Sequence, residues 1–171
     1  MSLRPILIAP DPRLKAVARD VAKVDGEIRT LIADMLETMY EADGIGLAAV
    51  QIGVAKRVIV MDIDQKEGKR NARVFVNPKL LWASEELASF EEGCLSVPEI
   101  WEDVERPARI RAEYLDRDGL KQTLEADGLL ADCLQHEMDH LNGVLFIDHL
   151  SRLKRSMALR KLAKAKKKET V

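Results

Sequence analysis

The sequence lacks any hydrophobic run long enough to cross a membrane, since no stretch approaches the roughly 18 apolar residues that a membrane helix requires. Its first ten residues hold only four consecutive apolar residues before a proline, which is not the pattern of a signal peptide. Only two cysteines occur in 171 residues, so we expect free thiols in a reducing compartment. These absences predict a cytoplasmic protein without a membrane anchor.

Internal repeats and Ser/Gly-rich linkers are also missing, so we expect one domain, with residues 1–150 as its body and residues 151–171 as a basic C-terminal helix. The net charge of −2 conceals an asymmetry, because nine of the 27 basic residues lie between positions 152 and 168, where no acid occurs. Residues 1–151 contain the other 18 basic residues and 28 acidic ones, so this part has a net charge of about −10. A basic tail on an acidic body indicates an anionic partner such as nucleic acid; a solvated helix is the alternative.

The spacing of apolar residues predicts both helices and strands. Residues 25–40 have the period of a helix, with Asp25 as its N-cap. Short β-branched runs at 57–63 and 73–78 predict strands. Alternating residues on either side of an Asp-Arg-Asp-Gly turn predict a hairpin over 110–124.

A second helix is predicted over residues 129–141, with Asn142 and Gly143 at its C-terminal end, and a third from about His149 into the tail. The order helix, strands, helix, helix predicts an α+β fold. In this fold, mostly antiparallel sheets pack around the central helix, with N-terminal and C-terminal helices outside.

The central helix carries LQHEMDHLNG (134–143), which contains an HExxH pattern. Residues four apart lie on one face of a helix, so His136 and His140 can present both imidazoles to one metal ion. Glu137 is placed to hold a water on the metal rather than the metal itself. The alternative is that two ordinary histidines meet by accident.

Two imidazoles hold a catalytic metal poorly, so a third ligand is needed. The metzincin spacing would require a histidine at position 146, where Phe146 stands. The only acids after His140 are Asp148 and Glu169, and His149 fits better as the start of the last helix. The metalloprotease interpretation therefore lacks a good downstream ligand.

The two cysteines lie upstream. Cys133 precedes His136 by three residues on the same helix, where it fits a pocket or core thiol better than a ligand. Cys94 lies in a loop at a strand edge; taken alone, such a cysteine is more often a small buried hydrophobe. A set of Cys94, His136 and His140 would leave the fourth tetrahedral position to water, as in catalytic zinc sites.

Three segments together resemble the motifs of the peptide deformylase family, in the same order and at the same separations: GIGLAAVQ (44–51), EGCLS (92–96) and QHEMDH (135–140). The resemblance spans nearly the whole chain, and the C-terminal helix is similar to that of Gram-negative-type bacterial members. It implies an α+β hydrolase that removes the N-formyl group from N-formylmethionyl nascent peptides and releases formate. The implied mechanism is attack by a metal-bound water with Glu137 as general base.

The resemblance also implies roles for other residues. Cys94, His136 and His140 would hold one divalent metal ion, Fe²⁺ in the cell, with Zn²⁺ or Ni²⁺ replacing it on purification. The side-chain amide of Gln51 and the backbone N–H of Leu95 would stabilise the oxyanion. The implied substrate-binding residues are Gly44, Ile45, Gly46, Phe90, Glu92, Gly93, Leu129 and Cys133.

The implied partners are nascent formyl-methionyl peptides and the ribosome, reached through the basic tail, with the chain a monomer. Two residues depart from the family pattern. Asp132 stands where deformylases carry an apolar residue, so it either lines the mouth of the pocket or points to solvent. Trp101 stands where many bacterial members have an arginine that contacts the peptide beyond its methionine. A ribosome- or RNA-binding protein with a structural metal, and a metalloprotease, are the competing hypotheses.

Overall fold

The computed structural model describes residues 2–169. It describes side chains only as far as Lys166, so those of Lys167 and Lys168 in the predicted basic tail lie outside the described part. Three α-helices and seven strands are described. They are α1 (Gly26–Glu41), β1 (Gly46–Ala48), β2 (Val58–Met61), β3 (Arg73–Ala83), β4 (Leu87–Cys94), β5 (Val97–Pro107), β6 (Arg109–Leu115), β7 (Lys121–Asp127), α2 (Gly128–Leu141) and α3 (Arg152–Glu169).

Helix α1 forms where its cap and its apolar period predict it. The Asp25 carboxylate accepts a hydrogen bond from the Ile28 N–H at 3.1 Å, which satisfies one of the free donors of the first turn. Its apolar side chains form one buried stripe, which packs against β1 and β2. The predicted N-terminal helix is confirmed.

The strands form two antiparallel sheets, and the α+β fold class is confirmed. Five strands lie in the order β1-β2-β3-β6-β7, and β4 pairs with β5 in a separate two-stranded sheet. The predicted 110–124 hairpin appears as β6 and β7. Strand β3 runs on past Pro78 to Ala83, because a shift in its register with β6 lies between Val76 and Lys79.

Helix α2 lies at the centre of the fold, between the large sheet and the β4–β5 hairpin. Ten of its 14 residues are buried, which is the pattern of a helix packed on several sides. Leu134 and Leu141 are wholly buried in a cluster with Ile59 and Phe75 of the large sheet. The helix therefore carries its polar motif residues into the interior.

Helix α3 begins at Arg152, so the predicted start near His149 is wrong. His149 instead ends a 3₁₀ turn (Phe146–His149). Ala158 and Leu162 on the inner side of α3 are buried in a cluster that includes Val97 of β5. Within residues 2–169, no helix is long and apolar enough to span a membrane.

Candidate metal centre

Cys94, His136 and His140 come together although Cys94 is more than 40 residues away in sequence. Their ligand atoms all lie within 4.8 Å of one another, and Cys94 Sγ is 3.3 Å from His140 Nε2. The two histidines lie one turn apart on α2, and Cys94 ends β4 opposite Val97. One thiolate and two imidazoles fit a soft or borderline divalent metal ion and leave a fourth position open.

A buried ion-pair network orients His136. Its Nδ1 lies 2.8 Å from Glu92 Oε1, and the Arg106 guanidinium donates to both Glu92 oxygens at 2.7 and 2.9 Å. Arg106 also donates to Asp139 at 2.7 Å. An Nδ1–H that donates to Glu92 leaves Nε2 as the nitrogen free to bind a metal.

Glu92 remains ionised in this network. Burial alone would raise the pKa of its carboxyl, but the hydrogen bonds from Arg106 and His136 outweigh burial and hold the pKa well below its usual range. Glu92 therefore has a second role besides lining the cavity, since it fixes the ring of a candidate ligand. Sequence reasoning missed Arg106, for which no local motif gives a signal, and it assigned no role to Asp139, although this residue lies within the 135–140 motif.

Glu137 is the candidate general base. Its residue is 3% exposed, and its Oε2 has no hydrogen-bond partner among the described residues. Burial raises the pKa of Glu137 to about 7. A Cβ on Gly46 would lie 3.2 Å from the Glu137 carboxyl carbon, so the absence of a side chain at Gly46 leaves room for Glu137. The carboxyl is thus buried at the site, with its Oε1 at 3.6 Å from His136 Nε2 and its Oε2 making no hydrogen bond to a described residue.

Gln51 is held with its amide NH₂ towards the thiol ligand. Its Oε1 accepts from the Ala48 N–H at 2.9 Å, and its Nε2 lies 3.0 Å from Ser96 Oγ and 3.5 Å from Cys94 Sγ. Gln51 lies in a 3₁₀ turn (Ala49–Ile52) that follows β1. Leu95 follows Cys94 in the turn between β4 and β5.

A cavity of about 410 Å³ is lined by Cys94 and His136 of the three candidate ligands, whereas His140 lies behind them and does not line it. The cavity brings together most residues that the sequence assigned to the site: Gly44, Ile45, Gly46, Gln51, Glu92, Gly93, Cys94, Leu95, Leu129, Cys133, His136 and Glu137. Phe90 is not among its lining residues and lies farther along β4, opposite Val104. Burial raises the pKa of the Cys133 thiol, so Cys133 serves as a wall residue rather than a thiolate ligand.

Both departures from the family pattern lie at this cavity. Asp132 is 6% exposed and lies 3.8 Å from Arg106 Nε, so the alternative that it points to solvent is wrong. Burial, and then the neighbouring Glu92 charge, raise the pKa of Asp132 to about 8. Trp101 lies at the cavity, 63% exposed, with its ring against Gly93.

Comparison with known proteins agrees with this geometry. The model of the family described as polypeptide deformylase matches residues 3–156. The peptide deformylase of Methylocella silvestris is 62% identical over 170 residues, which cover 98% of this chain and 87% of that protein. That of Phenylobacterium zucineum is 59% identical, with 96% and 97% covered.

Solved structures show the same fold. The crystal structure of peptide deformylase from Ehrlichia chaffeensis superimposes with a TM-score of 0.93 at 41% identity, covering 99% of this chain and 100% of that one. A structure of the Ehrlichia chaffeensis enzyme in complex with actinonin gives 0.90 at 45% identity, covering 96% and 98%. The chain therefore belongs to the polypeptide deformylase family and is an enzyme of that family.

Proposed function

We propose that the chain is a metal-dependent hydrolase that removes the N-formyl group from N-formylmethionyl nascent peptides and releases formate. The observation that supports it is the convergence of Cys94, His136 and His140 at a cavity of about 410 Å³, beside a Glu137 carboxyl whose Oε2 has no hydrogen-bond partner among the described residues. We propose one divalent ion on these three ligands, Fe²⁺ in the cell, with Zn²⁺ or Ni²⁺ able to replace it. Such an ion, when bound, lowers the pKa of a water molecule and polarises a carbonyl group.

Glu137 moves the proton. Its free Oε2 accepts a proton from the attacking water and then gives it to the amine nitrogen that leaves. Hydrolysis of the formyl amide thus yields formate and a peptide with a free amino terminus. Glu92 keeps the His136 ring in one orientation during the reaction, because Arg106 holds Glu92 through both oxygens.

Gln51 and Leu95 stabilise the charge that develops on the formyl oxygen. The Gln51 amide already has a fixed orientation, since Ala48 and Ser96 hold both of its ends. Preorganised donors of this kind need no reorganisation during the reaction, and loss of one typically costs about 2.7–4 kcal/mol of transition-state stabilisation. The Leu95 backbone N–H is the second donor.

The substrate binds as an added strand. Among the described residues, strand β1 pairs only with β2, so its other edge has no strand beside it, and Gly44 and Gly46 let a peptide backbone approach closely. The methionine side chain then enters the cavity between Ile45, Leu129 and Cys133. Because the methionine side chain is unbranched and flexible, it can adapt to the shape of such a pocket.

A glutamate substitution tests this function. Glu137→Gln should retain about one metal ion per chain but lose deformylation of formyl-Met-Ala by at least about 100-fold, since it removes the base and no ligand. Formate release and elemental analysis measure the two quantities. Glu27→Gln, at an exposed position on α1, is the matched control. Turnover by Glu137→Gln like that of the wild type would refute the assignment, and cleavage of internal peptide bonds by the wild type would favour a metalloprotease.

We also propose that the enzyme acts in the cytoplasm as a monomer that binds the ribosome through α3. The outward bases Arg152, Arg160 and Lys164 are exposed, and phosphate contacts would make binding weaken steeply with salt. Because Leu162 is part of the core, truncation would damage the body, so reversal of these three bases to glutamate is the better test. It should abolish ribosome co-sedimentation and preserve turnover of short peptides. If the variant with three glutamates still co-sediments with the ribosome, the basic face of α3 only increases solubility.

A further inference from the structure

His149 is the only histidine of the chain outside the candidate ligand set. It is exposed and ends the 3₁₀ turn that precedes α3. Its Nε2 lies 2.8 Å from Asp139 Oδ2. Because a carboxylate can only accept a hydrogen bond, this nitrogen carries the hydrogen and donates it. His149 therefore supplies Asp139 with a donor from outside α2.

The bond from His149 is the outer end of a continuous chain of hydrogen bonds that reaches the metal centre. The Asp139 oxygen that faces His149 also accepts from Arg106 Nη1 at 2.7 Å. Arg106 donates through Nε and Nη2 to both Glu92 oxygens, and Glu92 Oε1 lies 2.8 Å from His136 Nδ1. The guanidinium is one rigid planar group, so Asp139 at one end helps to fix the orientation that Arg106 presents to Glu92 at the other.

Asp139 is the exposed point of this chain. Its side chain is 26% exposed, against at most 7% for Arg106, Glu92 and His136. It borders a second cavity of about 440 Å³, which Arg106 and His149 also line and which shares no lining residue with the first. Without the bond from His149, the Asp139 side chain can turn into that space, and Arg106 then loses one of its three bonds. His149 therefore holds the chain where water reaches it.

The turn that carries His149 is fixed in the core of the molecule. Phe146 and Ile147, in the same turn, are fully buried. The Phe146 ring stacks on the His136 ring, with their centroids 5.9 Å apart and 26° between their planes. The exposed His149 side chain thus extends from an anchored backbone. One short turn supports His136 twice, through the face of its ring and through the hydrogen-bond chain.

We propose that His149 is a positioning residue for the metal centre, which acts through Asp139, Arg106 and Glu92 to keep the His136 ring in the orientation that leaves Nε2 to the ion. The inference rests on the proposed metal site and extends it. His149 is not among the described residues that line the metal-centre cavity. Loss of a group bonded directly to a metal ligand typically lowers metal affinity 10- to 100-fold, and His149 acts through three intervening side chains, so we expect an effect of about 3- to 10-fold.

The rate at which the loaded protein releases its metal measures this support. The full chain is loaded with Co²⁺ and mixed with excess EDTA, and the decay of the visible absorption of the bound ion gives the release rate. His149→Phe keeps a ring but has no donor, so it should release Co²⁺ about 3- to 10-fold faster than the wild type. For formyl-Met-Ala, kcat should fall about 2- to 5-fold at unchanged KM, because the cavity wall is intact.

Two further variants separate the hydrogen bond from the stability of the turn. His149→Gln places an amide N–H near the position of Nε2, so its release rate and kcat should return to within about twofold of the wild type. Asp148→Asn is the matched control, because the Asp148 and Arg155 side chains are 28% and 39% exposed, close to the 26% and 40% of Asp139 and His149. Among the described residues, no hydrogen bond joins that pair to the metal centre, so its loss should leave the release rate unchanged.

Three results would overturn the role of His149. Release of Co²⁺ by His149→Phe at the wild-type rate would show that the chain does not depend on its outer end. Equal acceleration in Asp148→Asn, or a His149→Gln variant as fast as His149→Phe, would assign the effect to a loosened turn. A wild type that takes up no Co²⁺ would instead refute the metal centre itself, and the positioning role with it.

Discussion

The buried arginine beside the candidate metal centre offers the sharpest test of what holds the site together. Replacement of Arg106 by methionine keeps most of the side-chain volume but removes the only described arginine or lysine that pairs with Glu92 and Asp139, which otherwise contact His136 and His149. The Arg106 and Glu92 side chains are 6% and 3% exposed, so water cannot replace the lost partner. Breaking a buried pair in this way typically costs about 3–5 kcal/mol, a large part of the roughly 5–15 kcal/mol that stabilises a domain.

Urea denaturation measures this loss in the free energy of unfolding. Arg111→Met is the matched control, because Arg111 and Glu125 form an ion pair whose side chains are 48% and 75% exposed, and such pairs contribute at most about 1 kcal/mol. Without Arg106, the native pKa of Glu92 should rise above its unfolded value. Stability then falls as pH rises through that interval, so the deficit should be smaller at pH 5 than at pH 8. A loss no larger than that of Arg111→Met would refute the reasoning.

Three further predictions concern the ligand, the tail and the cavity wall. Cys94→Ala should bind well under one metal ion per chain by elemental analysis, whereas Cys133→Ala should still bind one; equal metal content would exclude Cys94 as a ligand. Leu162→Ala should lower the free energy of unfolding by about 2–5 kcal/mol. The control Leu153→Ala, at an exposed position, should change it by no more than about 0.5 kcal/mol. Similar losses in the two variants would contradict the packing of α3 against the body. Gly46→Ala places a methyl group 3.2 Å from the carboxyl carbon of Glu137, the proposed general base, so kcat/KM for formyl-Met-Ala should fall about 10- to 100-fold with little change in Tm. Unchanged kinetics would show that the neighbouring side chains move to make room for the methyl group.

The elements that the sequence predicts best are those whose signals are local. Helix α1 combines a capping aspartate with an apolar stripe, and the β6–β7 hairpin has Gly119 at φ 79° in its turn. The β4–β5 hairpin has neither kind of signal. Its strands are rich in acids, and Leu95 and Ser96 alone separate the paired Cys94 and Val97, with no glycine, asparagine or aspartate in the turn. Its pairing depends on tertiary packing against α2.

The residues of the site show the same difference between local signals and contacts made by distant elements. His136 and His140 follow from helical periodicity alone, whereas Arg106 reaches the site only because β5 returns alongside β4. The family resemblance predicts that Phe90 lines the pocket. Glu92, two residues later on the same strand, reaches the cavity, but Phe90 lies about 7 Å farther along the strand and does not line it. Residue type and spacing therefore predict ligands on one element more reliably than contacts between elements.

The charge of the buried site links metal binding to stability. Glu92, Asp132 and Glu137 are each at most 6% exposed, and Arg106 is the only described arginine or lysine that pairs with any of them. Burial raises the pKa of Asp132 to about 8 and that of Glu137 to about 7, so these two acids reduce the cost of burial by holding protons. A divalent cation on the adjoining Cys94, His136 and His140 set would add positive charge at this point. The ion should therefore stabilise the native state by mass action as well as serve the chemistry.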